Sequence, residues 1–506
     1  MLDKKEQLFK KSAYVFFIYF FIIGCFSFSD YGLSVDEMNQ HTIGAESYNL
    51  ITTGGHADNL LASDEGKYHG ASFEIFLYSV EKLLKLTHER EINLLRHGLS
   101  FFVFFVSTIF FYLLVFKIFK KYSVALLCSA MLVMSPRIFA ESFYNSKDIP
   151  LLCFCIITSY TAFLFIERQT IGWALIHSIC CGFAIDIRIM AILIPMATLY
   201  LYLMQKQRKI IPLLVYMLCT LFFIVVFWPV LWPDPIHNFI QAFKTMSHYS
   251  LFVDVLYQGN IVAGPNLPWH YLPVWIAITT PICYTILFLV GLFFAIKNIV
   301  VKFTDTLPIQ FFLFMFITPI LAVIILHSTV YDSWRHVYFV YPYFLLIAIY
   351  GFTELMKVVK RKLARNIISY STILSILFVS VFMTINHPFE NVYFNSLAGK
   401  NIRKNFDMDY WGLSFRQGIE YILKHDSSKK IFVTSDMGVC WLNFDILPAE
   451  QRNRIFFASD IKHADYFLTN YRLHPASYDY GPSIFQIKVG NDTIMEVLNV
   501  KYGKKW

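Results

Sequence analysis

The first apolar segment of the chain reads YVFFIYFFIIGCFSF (residues 14–28), and the acidic pair of SVDEM (residues 34–38) follows it closely. The segment is apolar enough to begin a membrane span. Asp36 and Glu37 then lie where the chain leaves the bilayer, and ionised groups held against a bilayer are costly. Two solvated loop carboxylates would also explain an isolated pair. The pair therefore indicates a function only if other segments bring partners to it.

The composition is that of a membrane protein. Of 506 residues, 57% are hydrophobic and only 15% are charged. These values predict a polytopic membrane protein. The net charge is +8, but the basic residues gather in short runs between apolar segments, so membrane topology explains the excess better than nucleic-acid binding. The nine cysteines imply neither a disulfide framework nor a metal site.

Eleven apolar segments can be placed along the chain, eight of full length and three shorter. The full-length segments lie near residues 13–28, 99–116, 149–166, 211–232, 272–296, 308–326, 337–356 and 367–385, and the shorter ones near 123–135, 171–185 and 189–204. Basic clusters fall in alternate connections only if all eleven segments cross the bilayer. The positive-inside rule therefore predicts about eleven transmembrane helices with a cytoplasmic N-terminus.

This topology predicts two domains. Residues 1–385 form a transmembrane domain, in which residues 29–93 are a first periplasmic loop with interfacial helices, notably at 72–86. Residues 386–506 form a periplasmic α/β domain. Its predicted strands and helix lie at residues 430–435, 454–458, 466–469, 484–489, 494–500 and, for the helix, 415–424. Because this domain has no phosphate loop or catalytic Ser motif, we expect it to support the structure or to contact an acceptor or partner.

The outer connections each carry charged residues beside the membrane edge, including Asp36, Asp148, Arg188 and Arg335. Ordinary interfacial charges could account for any one of them. Carboxylates and guanidiniums that converge from separate loops on one face match the needs of sugar transfer from a lipid phosphate. The acceptor hydroxyl needs a carboxylate to take its proton. The departing phosphate needs Arg, Lys or a metal ion to stabilise its charge.

Three sequence blocks resemble membrane glycosyltransferases of the GT-C fold. They are SVDE (34–37), SPRIFAESFYNSKDIP (135–150) and YDSWRHVYFVYP (331–342). Within that class they are most similar to the branch that contains protein O-mannosyltransferases and the lipid A aminoarabinose transferase. HPFENVYFN (387–395) and FDMDYWG (406–412) also resemble bacterial members. The resemblance runs from about residue 30 to 415 and implies a GT-C fold and glycosyltransferase activity.

The resemblance also implies roles for individual residues. Asp36 matches the general base, and Glu37 would be its neighbour or a metal contact. Asp148 matches a second acid that orients the acceptor or a metal. Arg335 is the best match for the group that holds the donor phosphate. Further donor-phosphate candidates are Arg188, Arg137, His336 and Lys147.

No cofactor is assigned. A divalent metal is left open: His336, His387 or His41 could bind it, although a single interfacial histidine is more often structural. The metal site is therefore left unknown.

The acceptor is expected to be a glycan or glycolipid, because no inserted domain of the protein O-mannosyltransferase kind lies between the later spans. Size and arrangement also resemble the glucosyltransferases that decorate O-antigen and change serotype. The expected enzyme is thus an inverting transferase of the bacterial inner membrane that moves glucose from undecaprenyl phosphate to lipid-linked O-antigen in the periplasm. Its partners would be the polyprenyl-phosphate sugar, the lipid-linked glycan and membrane lipid, and no nucleic acid.

Two alternatives stay open at this point. The same fold could modify lipid A or a protein hydroxyl. A flippase or transporter of lipid-linked sugars would also have many spans and buried charges. Transporters, however, place ionisable groups in the middle of the membrane and show internal repeats. The charges here lie at the ends of spans, and the sequence shows no repeat.

Overall fold

The computed structural model describes residues 4–54, 64–247 and 253–502. Its helices are, in chain order, α1 (Lys4–Ser27), α2 (Glu37–Thr53), α3 (Asp64–Lys67), α4 (Ser72–Leu84), α5 (Glu89–Phe119), α6 (Tyr122–Val133), α7 (Pro136–Tyr144), α8 (Asp148–Arg168), α9 (Ile171–Ile187), α10 (Leu193–Leu203), α11 (Ile210–Phe227), α12 (Pro235–Ser247), α13 (Tyr271–Thr279), α14 (Ile282–Val301), α15 (Leu307–Ile325), α16 (Tyr341–Val358), α17 (Lys362–Asn386), α18 (Ile402–Asn405), α19 (Phe415–His425), α20 (Val439–Leu442) and α21 (Ala449–Arg452). The strands are β1 (Asp254–Tyr257), β2 (Asn260–Ala263), β3 (Ile431–Ser435), β4 (Ile455–Phe457), β5 (Tyr466–Thr469), β6 (Ser483–Val489) and β7 (Asp492–Asn499).

Eight of the described helices are long and apolar enough to span a membrane, and the bent pair α6 and α7 makes a ninth if it counts as one span. The eight are α1, α5, α8, α11, α14, α15, α16 and α17. The three short segments that the sequence predicts as spans also form apolar helices, namely α6, α9 and the stretch Ile189–Leu203. The chain is therefore a multi-pass helical membrane protein.

The bend between α6 and α7 shapes the centre of the molecule. The two helices meet at 65°, and every residue of α7 is buried. Pro136 begins α7, a position where its missing N–H and fixed φ are tolerated. After α7, Asn145 accepts the backbone N–H of Asp148 at 2.8 Å. This turn places Asp148 at the first position of α8, deep inside the fold.

Helices α2 and α4 of the first loop are tied to α5 by one buried cation. The Arg96 guanidinium of α5 pairs with Glu74, and its Nη1 donates to Glu81 Oε1 at 2.9 Å. The other oxygen of Glu81 lies 2.9 Å from His41 Nε2 of α2. The helix predicted at residues 72–86 is present as α4, and ion pairs hold it against α2 and α5. Its interfacial position stays a prediction.

The start of α4 is fixed against the end of α9. Asp186 Oδ2 accepts the backbone N–H of Ser72 at 2.6 Å. Gly70 lies so close that a Cβ there would be 1.1 Å from the Asp186 carbonyl oxygen, so only glycine fits. The first loop and the segment after α9 are therefore held together.

The C-terminal domain is a five-stranded mixed sheet in the order β4-β3-β5-β7-β6. Strands β4, β3 and β5 are parallel, and β5, β7 and β6 pair antiparallel. Helix α19 buries Phe415, Ile419 and Ile422 against this sheet. All five predicted strands and the predicted helix are confirmed within two residues at each end. The predicted fold class, a polytopic helical protein with a C-terminal α/β domain, is thereby confirmed.

The C-terminal domain holds the segment that leads to Asp36. Arg416 Nη1 of α19 donates to the carbonyl oxygens of Ser29 and Tyr31 at 2.6 and 2.8 Å. The Asn443 side chain pairs with the backbone of Leu33 in both directions, at 2.8 and 3.1 Å. The backbone immediately before Asp36 is therefore fixed by a domain from the other end of the chain.

We predict that Arg96→Met destabilises the protein by about 3–5 kcal/mol, because it leaves the buried carboxylates of Glu74 and Glu81 without their main counter-charge. Thermal unfolding of the detergent-purified protein measures this loss. Lys82→Met removes an exposed lysine from the same helix bundle and serves as the control. Equal melting temperatures for the two variants would contradict a stabilising role of the Arg96 ion pairs.

Candidate active site

Asp36 and Arg335 form the centre of the candidate site. Arg335 Nη1 donates to Asp36 Oδ2 at 2.9 Å. Asp36 directly precedes α2, and Arg335 begins the 3₁₀ turn Arg335–Val340 that leads into α16. The Arg335 side chain is 3% exposed, whereas that of Asp36 is 34% exposed. A buried guanidinium thus holds a carboxylate that remains accessible.

Arg335 is also held from other sides. Its Nη1 lies 3.4 Å from Asp148 Oδ2, and its Nη2 lies 3.3 Å from Asp332 Oδ2. The rings of Tyr331 and Trp411 are centred 4.9 and 4.7 Å from the guanidinium carbon, within the range of cation–π attraction. The orientation of Arg335 is therefore set before any substrate arrives. Its predicted role in holding the donor phosphate stays a prediction, since its guanidinium is engaged by three carboxylates.

Asp148 connects this pair to a second guanidinium. Arg188 Nη2 lies 2.8 Å from Asp148 Oδ1, while Arg335 approaches the other oxygen of the same carboxylate. Asn145 Nδ2 also donates to Asp148 Oδ2 at 3.2 Å. One buried carboxylate at the start of α8 therefore spaces two arginines that come from different parts of the chain.

Arg472 brings the C-terminal domain into the same cluster. Its Nη2 donates to Asp332 Oδ1 at 2.7 Å, and its Nη1 donates to the carbonyl oxygen of Tyr410 at 3.1 Å. Burial lowers the pKa of Arg472, but the charges of Asp332 and Asp407 outweigh it and raise the pKa. Asp407 accepts the backbone N–H of Leu473 at 3.1 Å, and burial raises its pKa to about 6. The loop after β5 is thereby locked onto the cluster.

A cavity of about 350 Å³ adjoins the cluster. Lys147, Arg188 and His336 line it together with apolar groups. The apolar part includes Met190, Leu193, Met196, Phe243, Met246 and Leu326. Such a cavity suits a ligand with an anionic head and a hydrocarbon chain.

Lys147 lies outside the ion pairs of the cluster. The ion pairs of the cluster join Asp36, Asp148 and Asp332 to Arg188, Arg335 and Arg472, and none of them includes Lys147. The Nζ of Lys147 is buried and has no hydrogen-bond partner among the residues that the structure describes. Burial and the nearby charge of Arg188 lower the pKa of Lys147 to about 7. A bound anion would reverse that shift.

The remaining phosphate candidates lie in different places. His336 lies at the cavity, with its ring 4.6 Å from that of Tyr331. Arg137 lies outside the ion-pair cluster, with its guanidinium 5.4 and 4.9 Å from the rings of Trp275 and Phe394. The structure thus brings His336, but not Arg137, to the predicted phosphate site.

Glu37 is engaged elsewhere. Its Oε2 accepts the backbone N–H of Ser34, and its Oε1 lies 2.7 Å from His97 Nε2. His97 in turn contacts the carbonyl oxygen of Phe28 at 3.2 Å through Nδ1. Both carboxylate oxygens of Glu37 are therefore occupied by contacts within the fold, which position the turn that carries Asp36. Its predicted catalytic role stays a prediction.

Within the described ranges, no group of three or more His, Cys, Asp or Glu side chains is arranged to hold a metal ion. His387, a metal candidate from the sequence, lies 2.7 Å from Glu390 and 3.0 Å from Asp30. These two carboxylates raise the pKa of His387 to about 9 although burial opposes them, so the ring is held as a cation. His41 is paired with Glu81.

Two residues of the cluster have no role assigned from the sequence. Asp332 is one of the charges at the outer membrane edge and lies three residues before Arg335 in the YDSWRH block, which is the signal that marks it. Arg472 lies in a stretch with no recognisable motif. Only the folding of the C-terminal sheet brings it to Asp332.

Comparison with known proteins supplies a partial match. A family model described as dolichyl-phosphate-mannose-protein mannosyltransferase matches residues 94–232, which is less than half of the chain. The matched region contains Lys147, Asp148 and Arg188, but neither Asp36 nor Arg335. Among proteins of curated function, none matches the sequence.

Solved structures with a similar arrangement are distant in sequence. The Archaeoglobus fulgidus oligosaccharyltransferase, tethered with an acceptor peptide, is 10% identical with a TM-score of 0.48, and the match covers 87% of this chain and 63% of that one. This chain thus spans less than two thirds of the archaeal protein. ArnT from Cupriavidus metallidurans, bound to undecaprenyl phosphate, is 11% identical with a TM-score of 0.49, and the match covers 96% of this chain and 98% of that one.

Proposed function

We propose that this protein is a membrane glycosyltransferase of the GT-C fold that transfers a sugar from a polyprenyl phosphate to a hydroxyl of a lipid-linked glycan. The observation that carries the proposal is the cavity with Lys147, Arg188 and His336 among its lining and apolar side chains around them. This lining matches a lipid phosphate, and the cavity adjoins an accessible carboxylate. The partial match to a family described by a dolichyl-phosphate sugar donor agrees with it.

We propose the following steps. Lys147 and Arg188 hold the donor phosphate, and the apolar wall holds the start of its lipid chain. Asp36 takes the proton of the acceptor hydroxyl as its oxygen forms a bond to the anomeric carbon. The bond from that carbon to the phosphate oxygen breaks, and the negative charge gathers on the polyprenyl phosphate, where the cations stabilise it. Attack opposite the leaving group inverts the anomeric centre.

Asp36 is the best base of the three acids because Asp148 and Asp332 are 1% and 2% exposed and each contacts two guanidiniums. Their role is to space the arginines. Asp36 has one ion-pair partner within the described chain and is 34% exposed, so an acceptor can reach its carboxylate.

The identities of the donor sugar and of the acceptor are inferred from the sequence resemblance. We infer that the donor is undecaprenyl phosphate glucose, that the acceptor is O-antigen and that the reaction takes place on the periplasmic side of a bacterial inner membrane. A panel of polyprenyl-phosphate sugars incubated with the purified protein and lipid-linked O-antigen identifies the sugar. Absence of transfer from every donor, together with movement of the donor across the bilayer of proteoliposomes, would favour a flippase instead.

A protein hydroxyl is the second candidate acceptor, because the matching family is described as protein mannosyltransferases. Mass spectrometry of envelope proteins and of lipopolysaccharide from cells with and without the gene separates the two. If cells without the gene lack the sugar on proteins but keep it on lipopolysaccharide, the acceptor is a protein and not a glycan.

Replacing the base should slow the chemistry without weakening donor binding. We predict that Asp36→Asn lowers kcat by about 10²–10⁴-fold and leaves the donor KM unchanged at pH 6, where Lys147 is a cation, because Asp36 is not one of the groups assigned to the phosphate. Initial rates of sugar transfer in proteoliposomes measure both constants. Asp254→Asn, which alters an exposed acid in β1, is the control. Normal turnover in Asp36→Asn would remove Asp36 from the role of base.

Donor binding should depend on pH through Lys147. Because burial lowers its pKa to about 7, Lys147 is a cation below that value and neutral above it. The donor is a phosphodiester whose own charge is constant near neutrality. We therefore predict that the donor KM rises by roughly tenfold as the pH increases from 6 to 8.

Lys147→Arg and Lys147→Met are the matched controls for this pH dependence. Arginine stays charged throughout, so its variant should bind the donor equally at both pH values. Methionine is never charged, so its variant should show the weak binding of the alkaline wild type at either pH. The same pH profile in all three proteins would exclude Lys147 from the phosphate site.

Arg472 should support catalysis through Asp332 and Arg335. We predict that Arg472→Met lowers kcat by roughly tenfold or more, because a small displacement of a catalytic group costs that much. Arg472→Lys keeps the charge and should recover part of the activity. Arg403→Met, on the same domain but stacked on Tyr471, is the control. Wild-type rates in Arg472→Met would mean that the C-terminal domain does not position the site.

A further inference from the structure

A second cavity, of about 360 Å³, opens on the C-terminal domain. It is lined by Trp441, Phe444, Arg452, Phe456 and Phe457, which we call the aromatic pocket. Trp441, Phe456 and Phe457 remain 39%, 37% and 44% exposed. Large aromatic side chains that line an exposed concavity mark a binding surface rather than a packed core.

The aromatic pocket is built on ordered elements. Trp441 belongs to α20, and Phe456 and Phe457 belong to β4 at the edge of the sheet. The ring of Phe456 packs against that of Phe432 on the neighbouring strand, with centroids 5.7 Å apart. The rings are therefore ordered before a ligand binds, so less side-chain entropy is lost on binding.

A paired charge lies at the same place. Arg452 Nε is 3.5 Å from Asp445 Oδ1, and the Arg452 guanidinium lies 5.2 Å from the ring centre of Phe444. The pair offers hydrogen-bond donors and acceptors with no net charge. A sugar ring has an apolar face that stacks on aromatic rings and hydroxyls that both donate and accept. An anionic lipid headgroup would meet the carboxylate of Asp445, so the pair favours a neutral glycan.

A short path of chain segments and hydrogen bonds links the aromatic pocket to the candidate site. Asn443 lies between Trp441 and Phe444 in sequence, and its side chain binds the backbone of Leu33. Leu33 precedes Asp36 by three residues, and three residues span at most about 11 Å. The segment from Trp441 to Asn443 adds to this length, so a glycan that contacts both Asp36 and the aromatic pocket must extend beyond the repeat unit that carries the reacting hydroxyl.

We propose that the aromatic pocket binds a sugar unit of the acceptor glycan at a distance from the hydroxyl that reacts. The inference rests on the proposed function and adds to it a second point of contact with the acceptor. This contact improves the binding of long acceptors and leaves the chemical step alone. Acceptors with one repeat unit do not reach it.

The test compares two acceptors in proteoliposomes, lipid-linked O-antigen of the source strain with one repeat unit and with several. In Trp441→Ala, the KM for the long acceptor is expected to rise roughly tenfold, with unchanged kcat and an unchanged KM for the short one. Trp269→Ala removes a 69% exposed tryptophan outside the aromatic pocket and serves as the control. Equal values of the long-acceptor KM in wild type and Trp441→Ala would overturn the inference while leaving the proposed function intact.

If the wild type transfers no sugar, that result refutes the proposed function but not glycan binding by the aromatic pocket. A direct binding experiment then tests the pocket. Polysaccharide released by mild acid from the envelope of the source strain is titrated into the full protein, and tryptophan fluorescence is followed. A saturable change that Trp441→Ala abolishes supports the inference, and its absence in the wild type overturns it. Quenching of Trp441 by brominated phospholipid, or a changed oligomeric state in Trp441→Ala, would assign the surface to the membrane or to a second copy and also overturn it.

Discussion

The buried guanidinium of Arg335 is the constraint on which the rest of the site depends. A guanidinium that is 3% exposed is tolerable only with counter-charges nearby, because an unpaired buried charge costs several kcal/mol. Arg335 meets this requirement with three carboxylates from three separate loops. The first loop, the start of α8 and the segment before α16 therefore meet at one point, because each contributes a carboxylate that neutralises the buried arginine.

The C-terminal domain completes this arrangement by fixing loops that surround Arg335. Arg416 and Asn443 form hydrogen bonds with the backbone of residues 29–33, and Arg472 pairs with Asp332. Two of the three loops around Arg335 are therefore fixed from outside the helical bundle. The same domain presents the aromatic pocket, so positioning of the base and contact with the acceptor belong to one structural unit.

Elements whose signals are local can be predicted from the sequence. Strands in the C-terminal domain and the helix α4 follow from alternation and helical periodicity over a few residues. Asp36, Asp148, Arg188 and Arg335 were found because span ends and three motif blocks mark them, and the structure brings all four together. Arg472 and the pairing of Glu37 with His97 could not be found, because both depend on contacts between residues far apart in sequence.

A structure of the protein bound to undecaprenyl phosphate tests the central claim most directly. We expect the phosphate within about 3 Å of Lys147 Nζ and the Arg188 guanidinium, with the lipid chain along Met190 and Met196 and the Asp36–Arg335 pair retained beside it. The phosphate bound in a different cavity, out of reach of Lys147 and Arg188, would contradict the assignment of the donor site and the mechanism built on it.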